Sequence, residues 1–178
     1  MVENKLDLGS EESNLSLSEE IQTRKEPEGE LHLRFFLPSG DEFALPALGI
    51  REVMQQEADR ITPIPNASPL LLGTINLRGQ IIWVADLGQF LGYANILKIE
   101  RGEIPVIAVE EQETILGLAV EKLGAMEWLD VEKLQIPKNV PDNIAPYIQG
   151  QWVSHEKKNK YVTLLDQIAI LRSARWVA

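Results

Sequence analysis

The sequence predicts a mainly β protein, a small barrel or pair of barrels with little helix. Short runs of alternating or β-branched residues, separated by turn clusters, recur along the chain. A figure of strand, turn, strand and capped short helix appears twice. Prolines at 63, 65, 69, 137, 141 and 146 deny the connecting stretches any long helix.

Residues 1–29 come first and differ from the rest. Eight acidic residues stand there against Lys5, Arg24 and Lys25, with several serines and no aromatic, which is half of the net charge of −10. Such a composition predicts a disordered acidic arm, because too little apolar surface is available to offset the ordering entropy. The run Leu15, Leu17, Ile21 offers a transient docking helix as a second reading. From Glu30 a period of two sets in: Leu31, Leu33, Phe35 and Leu37 alternate with His32, Arg34 and Phe36, which predicts a half-buried strand with His32 on its less buried face. Pro38-Ser39-Gly40-Asp41 is the turn, Phe43 to Pro46 begins the answering strand, and Leu48 to Met54 is expected to continue it.

Leu70 to Leu77 then reads as a strand interrupted by Gly73, Arg78-Gly79 as a turn, and Gln80 to Ala85 as a strand. Asp86 follows, placed to cap a short helix over Leu87 to Leu91. Ile104 to Val109 and Thr114 to Val120 predict a hairpin buried on both faces, because its strands are β-branched and almost wholly apolar. The first figure returns near the end: Gly150 opens a strand, Tyr161 to Leu165 forms the next, and Asp166 caps a helix containing Ile168, Ile170 and Leu171. Gly73 and Asp86 are thirteen residues apart, and Gly150 and Asp166 sixteen, with the polar loop His155 to Lys160 absorbing the excess. Two related β subdomains account for this pseudo-repeat.

A chain of 178 residues can bury a core without staples, and it has no cysteine for a disulfide, a thiolate zinc site or a nucleophile. No apolar run is long enough to span a membrane, and the acidic start lacks the features of a signal peptide, so a cytoplasmic protein is expected. The acidic balance disfavours a generic nucleic-acid binder. His32 and His155 are the only histidines and lie far apart, so no metal site is expected.

Catalytic groups are scarce. There is no nucleophile elbow, Walker loop or dinucleotide fingerprint, and the glycine pair Gly88 and Gly92 offers no phosphate cradle. Asp86 and Asp166 read as helix caps rather than as an acid–base pair. Arg78 is the residue singled out by local chemistry, a guanidinium at a turn able to make planar bidentate contacts with a partner's carboxylate. Lys157, Lys158 and Lys160 read as a solvated loop. Together with Trp152 they carry the alternative reading, an OB-like nucleic-acid module, against which the net charge argues. Trp83, alternating with Ile81 and Ala85, reads as core; facing outward, it would instead serve as a partner anchor.

Ile61-Thr62-Pro63-Ile64-Pro65-Asn66-Ala67, then Leu72-Gly73-Thr74-Ile75-Asn76-Leu77-Arg78-Gly79-Gln80-Ile81-Ile82 and Val84-Ala85-Asp86-Leu87, resemble the signature of the CheW family of chemotaxis coupling proteins. The similarity runs from about Glu30 to Ser173 and takes in Ile50 to Val53, Leu116 to Glu121 and Tyr147 to Gly150. It implies a domain over residues 30–178 made of two intertwined five-stranded β-barrels around a shared core, with short helices including one at the C-terminus. It further implies a non-enzymatic adaptor, needing no cofactor, that couples chemoreceptor cytoplasmic tips to a CheA-type histidine kinase at membrane receptor arrays. The receptor helix would dock in a groove between the subdomains. Arg78 matches an important family position, and Ile50, Glu52, Val53, Gly73, Gly117, Leu123 and Gly150 match positions implicated in receptor or kinase contact. Two departures stand out: Trp83 replaces a usual proline and Glu121 a usual aspartate. Trp83 alters the local surface, and a pilus-based or light-directed pathway is as compatible as a flagellar one.

Overall fold

Strands and short helices alternate along residues 29–177, the part of the chain that the computed structural model describes. The acidic arm expected over residues 1–29 lies outside the described residues except for Gly29. The first half of the fold comprises β1 (Glu30–Phe36), β2 (Glu42–Pro46), β3 (Ile50–Glu57), β4 (Leu71–Leu77), β5 (Gln80–Asp86) and α1 (Leu87–Phe90). The second half repeats that order with β6 (Glu103–Glu111), β7 (Thr114–Ala119), β8 (Lys122–Leu129), β9 (Ile148–Val153), β10 (Tyr161–Leu165) and α2 (Gln167–Leu171).

These strands form two five-stranded sheets, β8-β1-β2-β10-β9 and β3-β6-β7-β5-β4. Each half therefore contributes a hairpin to one sheet and its next three strands to the other, which intertwines the two subdomains. In both sheets the hairpin's second strand meets the last strand of the other half in parallel, β2 with β10 and β7 with β5. This corrects the expected continuation of β2 through Leu48 to Met54. Pro46 ends β2 with a residue that cannot donate to a ladder, a 3-10 turn at Ala47–Gly49 redirects the chain, and β3 pairs with β6 in the second sheet.

Among the described residues, one two-way bridge draws the free edges of each sheet together. Downstream of β3, Thr62 exchanges two 2.9 Å backbone hydrogen bonds with Thr74 on β4. Downstream of β8, Gln135 does the same with Gln151 on β9, also at 2.9 Å. The glycines of the pseudo-repeat stand beside these bridges, one residue before Thr74 and Gln151. Gly73 has φ +149°, and a Cβ there would lie 2.2 Å from the Thr62 carbonyl oxygen; at Gly150 it would lie 3.1 Å from that of Gln135. The figure ends alike in both halves: Asp86 N–H donates to Leu70 O at 2.9 Å and Asp166 N–H to Tyr147 O at 2.8 Å. Gly150 stands inside β9 rather than opening it, because the strand starts at Ile148.

Burial follows from this arrangement in three layers. Leu33, Phe35, Phe43 and Leu45 of the first sheet meet Ile107, Val109, Leu116 and Leu118 of the second, with Phe90 and Ile170 from the helices. Ile75, Ile82, Val84 and Val106 fill the second barrel, and Ala44, Trp152, Val162 and Leu164 the first. Each large side chain so buried contributes about 1.5–3 kcal/mol. β6 divides its residues between two cores, Val106 to the barrel and Ile107 to the shared layer, as its apolar run predicts.

The same geometry overturns the reading of His32. β1 is a central strand whose second face looks into the first barrel, so His32 is fully buried, its ring edge-on to Trp152 at 5.3 Å. Arg34, two residues on, is buried beside it and donates to the Glu42 and Glu127 carboxylates. Alternation along β1 thus separates two interiors rather than interior from solvent. No sequence pattern marks β8: Gly124 interrupts its run, and Met126 and Trp128 lie half-exposed where apolar residues suggest burial.

Candidate functional site

The turn that joins β4 to β5 has two residues, and both have positive φ, +49° at Arg78 and +87° at Gly79. This is the type I′ geometry that matches strand twist in a hairpin. Asn76 Oδ1 supports it by accepting the Gly79 N–H at 2.8 Å. A left-handed conformation costs a β-carbon residue roughly 1–2 kcal/mol, so an arginine at the first position is locally unfavourable.

Its side chain is three-quarters exposed, and Nε and Nη2 donate to the two carboxylate oxygens of Glu52 at 3.1 and 3.2 Å. Hydrogen bonding to Glu52, seconded by its charge, pushes the Arg78 pKa upward. Glu52 stands on β3, the opposite edge of the same sheet, so the pair crosses the seam that the Thr62–Thr74 bridge closes. Glu52 and Arg78 are thereby brought together.

The other matched positions divide into surface and interior. Val53 lies on the face of β3 opposite to Glu52 and is 38% exposed, whereas Ile50 packs partly into the shared core. Gln55, on the same face as Val53, lines with Leu123 of β8 a depression of about 520 Å³ where the two sheets meet. Leu123 is half-buried and opposite Phe35 in the ladder. Gly73, Gly117 and Gly150 are buried. A Cβ at Gly117 would lie 3.0 Å from Val106 Cγ1, so that glycine leaves room for packing inside the second barrel.

Trp83 departs from its expected place in the core. Along β5, Ile82 and Val84 fill the second barrel, and Trp83 shares the other face with Ile81 and Ala85. The first sheet covers that face only at Ala85, leaving Ile81 65% and Trp83 38% exposed. Trp83 lines a cleft of about 560 Å³ between the proline-rich segment at Ile64–Ser68 and Trp176 near the C-terminus.

Asp86 ends β5 and Asp166 directly follows β10, in different sheets, and each is engaged as a cap. Asp86 accepts from Gln89 N–H at 3.2 Å, Asp166 from Ala169 N–H at 3.0 Å. Burial pushes the Asp86 carboxyl pKa up, against backbone hydrogen bonds from Gln89 and Gly88 that lower it. Trp152 turns its ring into the first barrel and donates its indole N–H to Asp130 O at 2.7 Å. Lys157, Lys158 and Lys160 lie on the exposed β9–β10 loop. Among the described residues no cluster of histidines and carboxylates is arranged to hold a metal ion, and no helix is long and apolar enough to cross a membrane.

The family profile described as CheW-like domain matches residues 33–175. The chain belongs to the CheW-like domain family. Among curated relatives it is similar to Protein PilI of Pseudomonas aeruginosa, 28% identical over 117 residues, a stretch that covers 65% of this chain and 63% of that protein. Among solved structures it is similar to the scaffolding protein TtCheW of Thermoanaerobacter tengcongensis, with a TM-score of 0.69 at 21% identity over 84% of this chain and 97% of that one. The intertwined pair of five-stranded sheets is thus the CheW-like fold. Asp86 and Asp166, the two carboxylates an acid–base pair would need, are separately engaged in capping.

Proposed function

We propose that this CheW-like protein is an adaptor that couples the cytoplasmic tips of methyl-accepting-type receptors to a CheA-type histidine kinase at receptor arrays. The observation that carries the reading is the Arg78–Glu52 pair, exposed at the edge of a family-matched domain and positioned by a strained turn. The receptor-side surface wraps the free edge of β3, with Arg78 and Glu52 on one face and Val53, Gln55 and Leu123 on the other, where the sheets form a groove, and Ile50 supporting it from the core. Gly73, Gly117 and Gly150 act on it indirectly, by setting barrel closure and packing. Trp83 anchors a second partner surface, where a tryptophan beside a cleft suits an interface hot spot. The similarity to PilI favours a pilus-type motility pathway over a flagellar one.

The test is calorimetry of the full chain with the regulatory domain of a CheA-type kinase from the same genome, with and without a receptor cytoplasmic fragment. Simultaneous binding of both is the expected result. Failure to bind any such kinase would overturn the coupling role while leaving the family intact.

A further inference from the structure

The first barrel has an unclosed stretch of seam that the adaptor reading does not use. β8 and β9 are its edge strands, and among the described residues only the Gln135–Gln151 bridge joins their free sides. Alongside the bridge a cleft of about 530 Å³ opens between Trp128 and Leu129 on one wall and Trp152 and Val153 on the other. Trp128 is 50% and Val153 46% exposed there, apolar surface flanked by strand edges without a strand partner. The cleft is also lined by Glu127 and Glu156, both turned to Arg34, and by Asp130 and Lys133; outside its lining, on the loop that bounds it, Lys157, Lys158 and Lys160 form a basic rim. In a chain of charge −10, those three lysines stand out as local positive charge.

The chain enters the described fold beside this cleft. Glu30 pairs with Leu129, and Gly29 lies so close that a Cβ on it would be 2.3 Å from Leu129 O. The sequence directly upstream has complementary chemistry: Glu11, Glu12, Glu19 and Glu20 surround Leu15, Leu17 and Ile21. Ile21 is eight residues before Gly29, so the connecting stretch spans at most roughly 28 Å, and docking within one chain needs no encounter.

We propose that residues 11–21 occupy the β8–β9 cleft of their own chain, with Leu15, Leu17 and Ile21 over Trp128 and Val153 and the glutamates toward Lys133 and Lys157–Lys160. The segment covers the open seam, and any partner using that end of the first barrel must displace it. This inference rests on the cleft and the sequence upstream of it, independently of the kinase and receptor assignments.

The chain has no cysteine, so Ser18→Cys provides a unique attachment point for a spin label on the full-length protein. At low salt the label should selectively abolish the amide signals of Trp128, Val153 and Lys157–Lys160, and tenfold dilution should leave that pattern unchanged. The signals should return in the Leu15→Ser, Leu17→Ser, Ile21→Ser variant, and near 1 M salt, where the screening length falls to about 3 Å. Uniform or absent broadening would overturn the proposal, as would broadening around the Trp83–Trp176 cleft. Loss of the effect on dilution would overturn it in favour of a second copy as the donor.

Discussion

Arg78 and Glu52 are 26 residues apart in sequence and joined by two hydrogen bonds across the seam of the second barrel. The guanidinium is held in place without being buried, so its outer edge stays available to a partner. Water screens an exposed ion pair of this kind, so stability alone does not explain an arginine in a left-handed turn.

Arg78→Ala should weaken receptor-fragment binding by roughly 1–3 kcal/mol, as loss of an interface arginine does. Arg78→Asn should lose binding similarly while holding stability close to wild type, because asparagine tolerates the left-handed turn. Calorimetry and thermal melts of both variants check this. Unchanged binding in either would remove Arg78 from the site.

Gly73→Ala and Gly150→Ala should separate sharply although the two glycines are equivalent in the repeat. At Gly73 the new methyl meets a backbone carbonyl at 2.2 Å with φ +149°, and neither can move cheaply. A loss at the upper end of the roughly 1–3 kcal/mol typical of overpacking is expected in urea unfolding. At Gly150 the contacts are 3.1 Å or longer and include the adaptable Leu134 side chain, so the loss should be smaller. Equal losses would contradict the closure argument.

Asp86 makes its contribution to stability dependent on pH. Burial raises its carboxyl pKa in the folded state, so the fold holds that proton more tightly than the unfolded chain does. The corresponding stability is complete below the unfolded value and is lost as pH rises through the raised one. Asp86→Asn keeps the capping acceptor without the charge. At about pH 7 it should match or exceed wild type, whereas Asp86→Ala should lose about 1 kcal/mol with the cap. Unfolding titrations at acidic and neutral pH check the sign, and an asparagine variant as weak as the alanine one would refute it.

Arg34 should be costly to remove alone. Its guanidinium is 11% exposed and Glu42 13%, so Arg34→Met leaves a buried carboxylate without its partner, a loss of about 3–5 kcal/mol. Adding Glu42→Leu should recover most of it, because a buried pair is replaceable by packed apolar residues. A double variant no more stable than the single one would show that Glu42 does not carry the loss.

Much of this was legible beforehand where the deciding forces are local. The β4–β5 and β9–β10 figures, their aspartate caps and the Arg78–Gly79 turn depend on hydrogen bonds within a few residues, which spacing and residue type reveal. The misplacements of His32 and Trp83 share one cause. Period two says which residues share a face of a strand but not what lies over that face. β1 has interior on both sides, so its polar residues are buried; β5 has cover over only part of one face, so its tryptophan emerges.

Sequence alone therefore determined that the protein is built from β hairpins in two related units, with its aspartates engaged in capping and its notable arginine at a turn. Only the tertiary structure decided which strands the units exchange, that Glu52 is the partner of Arg78, and that Gly73 and Gly150 stand at the closing bridges. Those relationships join residues far apart in the chain, and their energies exist only once the sheets curl and bring opposite edges within hydrogen-bonding distance.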